Sequence, residues 1–199
     1  MFGINSGRLI KNIHAEEAAV KLSAEKYGIH YIIIYPDLPT LREFYSFYIK
    51  NQIEHNKEIV LFSPFYETTD NVRQTLSGGH AAIKVSKYEE EKTLLITDAL
   101  NQYFQKAEGE GIKNDWSFEK RMAEYVKKQG KNGLSVLGDM GVFQYKNKIK
   151  ELVDYELSLP TKYDTDLKGF CIYNEKDFDR FAEEQKRKLI EHHGMAIII

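Results

Sequence analysis

With 199 residues, 42% hydrophobic and 29% charged, the chain has the make-up of a soluble globular domain and the length for one good core. Its 28 basic and 30 acidic residues leave a net charge of −2, without the basic surface that nucleic-acid binding requires. A single cysteine, Cys171, excludes an intramolecular disulfide framework. With no signal-like opening and no apolar run long enough to span a bilayer, it predicts a cytoplasmic protein.

Residues Arg8–Tyr27 read as an amphipathic helix, with Ile13, Val20, Ala24 and Tyr27 on one face and Gly28 ending it. Tyr31–Tyr35 is apolar on both faces, as a strand buried within a parallel sheet is. Pro39 opens a helix to about Asn56, with Leu41, Phe44, Tyr45, Tyr48 and Ile49 inward. Phe47 lies off that stripe; it widens the buried face or, less simply, marks a homodimer contact. Ile59–Phe62 is a strand and Thr69–Leu76 a short helix. Ala82–Thr97 reads as a hairpin or two short strands, because Ile83 and Val85 alternate with polar neighbours.

Ala99–Lys113 is a polar connection holding Tyr103, of the length that functional loops reach. A helix runs from Asp115 to about Gln129, and Leu134–Leu137 is a strand ending in Gly138-Asp139-Met140-Gly141. A helix over about Asn147–Leu159 stops at Pro160. Strand Gly169–Tyr173 follows. Asn174 then caps a helix that places Phe178, Phe181, Ala182, Gln185 and Leu189 on one side, and Met195–Ile199 is a last strand. The pattern predicts one three-layer α/β domain with a mostly parallel sheet over residues 29–199, preceded by a helical extension over residues 1–28. Because the chain ends within a strand, any output domain is expected on another polypeptide.

No strand-to-helix turn carries a phosphate loop. The first reads Tyr35-Pro36-Asp37-Leu38-Pro39-Thr40, without the glycines, lysine and hydroxyl that cradle phosphates and magnesium. Binding and sensing are therefore expected rather than turnover, with no cofactor. In a parallel sheet the ligand belongs beyond the carboxyl ends of the strands. That edge holds Tyr35 and Asp37, Ser63 and Tyr66, Thr97 and Asp98, Asp139 and Met140, and Tyr173 and Asn174. Cys171 lies within a strand, where a free cysteine is usually a small hydrophobe. His30 and His193 precede the first and last strands of the domain, at its amino end. If those strands are close, the two histidines can meet as a switch or metal pair; satisfied structural histidines are the simpler reading. His192 is adjacent in sequence but faces elsewhere on a helix.

Several of these positions also carry a family resemblance. His30 opens its strand; Tyr103 follows the middle strand; Gly138-Asp139-Met140 is similar to a Gly-Glu-Met strand end. Tyr155-Glu156 matches a Tyr-Glu pair, Cys171-Ile172-Tyr173 a Cys-x-Tyr strand, and His193 a His-Pro before the last strand. In these features the segment from about Ile29 resembles the MEDS domain, the methanogen/methylotroph sensory domain. It departs from the pattern at Asp139 for Glu, Asn174 for Asp and Gly194 for Pro. The resemblance implies a RecA/KaiC-like fold without its phosphate loop, and a sensor of small hydrocarbon-derived molecules. On these grounds the expected site comprises Tyr35, Asp37, Tyr103, Asp139, Met140, Cys171 and Tyr173, with His30 and His193 as the switch or metal pair. The expected partners are a small organic molecule and a regulatory protein, in signal transduction or transcriptional control. The rival readings are a ligand-free interaction module and an enzyme built on Asp139 or Cys171.

Overall fold

The computed structural model describes residues 7–104 and 117–199. Among them, seven strands form one all-parallel sheet in the order β1-β7-β2-β6-β5-β3-β4. These are β1 (Arg8–Ile10), β2 (Ile29–Tyr35), β3 (Ile59–Ser63), β4 (Leu94–Ile96), β5 (Leu134–Asp139), β6 (Leu167–Asn174) and β7 (Met195–Ile198). The central strands are nearly continuous apolar runs, as strands covered on both faces must be.

The direction of chain travel decides which face each helix covers. The connections β1→β2→β3→β4 run toward one edge, and β4→β5→β6→β7 run back. Crossovers of constant hand then place the two sets on opposite faces. Accordingly α1 (Ala15–Ser23), α2 (Leu38–Lys50), α3 (Thr69–Gly78) and α4 (Val85–Glu90) bury their apolar stripes with Ile33, Phe62, Leu137, Phe170 and Ile172. The other face packs Ile32, Ile34, Cys171, Tyr173 and Ala196 under α5 (Ala99–Phe104), α7 (Gly141–Tyr145), α8 (Ile149–Ser158), α9 (Glu175–Phe178) and α10 (Glu183–His193). The last described helix, α6 (Ser117–Lys128), sets Val126 over the strand starts Ile59, Leu134 and Leu167.

Several elements differ from the sequence-based expectation. Arg8–Ile10 is a strand on β7, and the helix begins only at Ala15. The buried side of that helix is Ala15, Ala18, Ala19 and Leu22, while Val20 is exposed: three alanines make a flat face on α2 that a search for large apolar residues overlooks. Residues 82–97 hold α4 and a strand parallel to β3, not a hairpin. Residues 99–104 are helical where a loop was expected, and Asp115 and the rest of that connection, 105–116, lie outside the described residues. The expected helices over 147–159 and after Asn174 are each preceded or broken by a short extra helix, α7 and α9. Asp37 and Asn174 act as N-caps, accepting from Thr40 N–H and Lys176 N–H.

On the α1–α4 face, near the amino ends of the strands, a polar knot is buried. Lys168 Nζ donates to Glu58 at 2.9 Å and to the Ser23 carbonyl at 2.9 Å. Ser135 donates to the other Glu58 oxygen at 2.7 Å and contacts the Tyr48 hydroxyl. A π-helical turn, Asn51–His55, carries Gln52 into this knot at the end of α2. Both charges are almost wholly buried, so removing one strands the other in the core. Lys168→Met should therefore destabilise the protein by about 3–5 kcal/mol in urea unfolding, and Glu58→Leu in the same chain should restore much of the loss.

Candidate functional site

Along the carboxyl edge of the sheet many polar groups are paired with one another. Asp139, 1% exposed, accepts from Gly141 N–H at 2.9 Å and from Phe65 N–H at 3.3 Å, with the Tyr35 hydroxyl at 3.5 Å. Tyr66 donates to Asp177, Ser63 meets Thr97, and Asp98 and Asn174 cap the turns after their strands. Asp37 is exposed and occupied as the α2 cap. Burial raises the Asp139 carboxyl to about 7, with the Asp177 charge adding to it and the Gly141, Phe65 and Tyr66 amides opposing it.

Strand alternation divides the expected site residues between the two sides of the sheet. Tyr35 and Asp139 share the parity of the α1–α4 face, whereas Met140, Cys171 and Tyr173 belong to the opposite one, where Tyr103 also packs. On that second face the structure assembles a different group. His30, from β2, meets Cys171, from the neighbouring β6, with Nε2 to Sγ at 3.3 Å. Cys171 Sγ lies 3.1 Å from Glu156 Oε2, on α8, and His193 Nε2, at the end of α10, lies 3.0 Å from the same oxygen. The His30 and His193 rings are 4.1 Å apart, because β7 runs beside β2. His192 turns away to the Leu159 carbonyl at 2.8 Å.

Each member is held from behind. Backbone carbonyls only accept, so His30 Nδ1–H donates to Pro160 O at 2.9 Å and His193 Nδ1–H to Leu189 O at 2.8 Å. Tyr173 donates to Glu156 Oε1 at 2.6 Å. Burial alone would raise the Glu156 carboxyl, but the charge and hydrogen bond of His193, with help from His30 and Tyr173, hold it at about 2. Burial, and then the neighbouring His193 charge, lower His30 to about 3. Burial and the Glu156 charge push the Cys171 thiol well above its ordinary range. Glu156 itself was visible in the sequence only as a family match. Its physical signal is an acid in the stripe Ile149, Leu152, Val153, Glu156, at the spacing of a buried helix face.

Beside the cluster is a cavity of about 40 Å³. His30, Cys171 and Met140 line it, with Tyr103, Tyr155 and Tyr163 as its aromatic walls. The sheet is smooth beneath it. A side chain at Gly138 would strike the Tyr103 hydroxyl, and a Cβ at Gly169 would lie 2.6 Å from the Tyr163 hydroxyl. Tyr103 packs on Phe143 and Tyr155, with ring centroids 5.3 and 5.8 Å apart.

Residues 29–194 match the family model MEDS, the methanogen/methylotroph, DcmR sensory domain. The chain belongs to the MEDS family. No curated protein sequence matches it. Its role is accordingly that of a sensory domain, and among the described residues no helix is long and apolar enough to cross a membrane.

The buried Asp139 gives one measurable pH effect. Because its folded pKa lies above the ordinary 3.8, the folded state holds its proton longer than the unfolded chain does. Its contribution therefore favours folding at acid pH and is lost as pH rises from about 4 to about 7, by at most about 1.4 kcal/mol per pH unit. The stability of Asp139→Asn relative to wild type should rise across that window and level off above it, in urea melts recorded pH by pH.

Proposed function

We propose that this MEDS domain senses a small organic molecule of one or two carbons, bound in the cavity between the sheet and the tyrosines of α5 and α8. The observation that carries the reading is the cavity itself. A water molecule needs about 10–15 Å³ of such space, so about 40 Å³ accepts a molecule of roughly three water-sized groups and no nucleotide. Its walls join apolar surface to a few polar tips, which is how a site grips a small, partly apolar ligand.

Occupancy acts on Tyr103 and Tyr155, and so on α5 and α8, and a regulatory partner in signal transduction or transcriptional control reads that shift. Binding without turnover is favoured by the state of the one cysteine. A nucleophilic thiol needs an accessible, electropositive setting, and Cys171 is 5% exposed beside a carboxylate. The carboxyl edge supports the same reading, since Asp139 is engaged by backbone amides rather than presented to a cleft.

A thermal-shift screen with one- and two-carbon alcohols, amines, thiols, acids and halides tests the proposal. A true ligand at a hundred times its Kd stabilises by about 2.7 kcal/mol, enough to raise Tm by roughly 5 °C or more in a chain of this size. Val136 is half-buried on the cavity wall. Val136→Phe should fill the space and abolish the shift while circular dichroism remains native. No shift with any small compound, or an undiminished shift in Val136→Phe, defeats the reading.

A further inference from the structure

We propose that His30, Glu156, Cys171 and His193 form a binding site for one zinc-class divalent cation. The inference stands on the cluster alone and does not depend on a ligand entering the neighbouring cavity.

Donor type is the first ground. Two imidazole nitrogens, one sulfur and one carboxylate oxygen are the atoms that zinc selects, and all four lie within 4.8 Å of one another. A tetrahedron with zinc's usual bond lengths has edges of about 3.3–3.6 Å between such donors. Of the six edges, the three at 3.3, 3.1 and 3.0 Å need open by only a few tenths of an ångström, while the others, at up to 4.8 Å, close by side-chain rotation about the ion.

Orientation is the second. Each imidazole is fixed by a carbonyl on Nδ1, so that its Nε2 faces the common centre, and Glu156 is fixed by Tyr173 on its other oxygen. Ligating histidines and carboxylates are characteristically tethered this way by a second layer of hydrogen bonds.

Proton supply is the third. As a purely hydrogen-bonded core, the cluster has three contacts to satisfy: His30 to Cys171, Cys171 to Glu156, and Glu156 to His193. With both Nδ1 protons already committed to carbonyls, filling all three contacts takes the thiol proton and an extra proton on each imidazole. Without that full set a buried contact lacks a hydrogen, which is costly where all four residues are at most 5% exposed. A dication removes the conflict. Thiolate, carboxylate and two neutral imidazoles carry −2 together, so the filled site is neutral. Loading displaces the thiol proton, with any proton held on an Nε2 atom, to solvent, and four metal–ligand bonds replace the three contacts.

The 199-residue chain, stripped with a chelator and titrated with cobalt(II) in place of zinc, provides the test. Because Cys171 is the only cysteine, a thiolate-to-cobalt charge-transfer band identifies its ligation without any mutation. The expected result is that band together with intense tetrahedral d–d absorption, saturating at one equivalent and bleached by zinc. Cys171→Ser should lose the charge-transfer band, and Glu156→Gln should weaken binding at least tenfold. No saturable cobalt spectrum in the wild-type chain, or a spectrum without the thiolate band, overturns the proposal even if a variant fails to fold. The small-molecule screen is read separately, so either idea can fail alone.

Discussion

A fully buried carboxylate, Glu156, organises the second face of this domain. A charge in an apolar layer is tolerated only when hydrogen bonds and opposite charge surround it, and those partners must come from several elements at once. Glu156 draws Tyr173 and Cys171 from β6 and His193 from the end of α10. To reach them, α8 must lie on this face of the sheet beside α10, which it contacts. The position of the helix and the composition of the site are thus one constraint. The cavity follows from it. The chain leaving α8 at Leu159–Pro160 returns by way of Tyr163, whose ring lies over Gly169 and closes one wall.

The proposed site lies away from where a parallel sheet usually binds. Phosphate-binding relatives of this architecture use glycine-rich turns beyond the strand ends, where helix amino termini point at the ligand. Here the corresponding amides are already spent. Gly141 N–H and Phe65 N–H serve Asp139, and the Tyr35 and Tyr66 hydroxyls serve the acids at that rim. A seam whose donors are consumed by its own carboxylates has little left with which to wrap an anion. The group of His30, Glu156, Cys171 and His193 lies instead in the middle of the sheet face, where Gly138 and Gly169 let the Tyr103 and Tyr163 rings come down onto the strands.

Much of the frame was legible from local rules. The runs of Ile and Phe in β2, β3 and β6 could only be strands covered on both sides, Pro39 marked the start of α2 and Asn174 announced its helix by capping chemistry, whereas the Asp37 cap emerged only from the structure. The failures have equally local causes. Arg8–Ile10 is three residues long and gains its strand identity from pairing with β7, nearly two hundred positions away. Val85 begins a one-and-a-half-turn helix, and the alternation of Ile83 and Val85 imitates a strand because both meet the core from a turn. Tyr35 and Tyr173 looked equivalent as tyrosines at strand ends. One residue of register sends them to opposite sides of the sheet.

The meeting of His30 and His193 shows what local pattern cannot supply. Both were read as preceding strands, at the amino end; in the structure His30 is the second residue of β2 and His193 lies just before β7. Their contact depends on strand order. The chain leaving β6 crosses over β2 before forming β7, so the last strand lands on the far side of β2 and brings the end of α10 above His30. Had another strand come between β2 and β7, the two positions would lie about 9–10 Å apart, two strand spacings rather than one. Gly194 completes the placement. With φ at +71° it ends α10 in a left-handed turn, directing the chain at once into β7 while His193 stays buried on the last helical position. A side chain at that glycine would be strained by the backbone alone, with nothing within 4 Å to oppose it, so its conformation and not its size is what fixes the fourth member of the cluster.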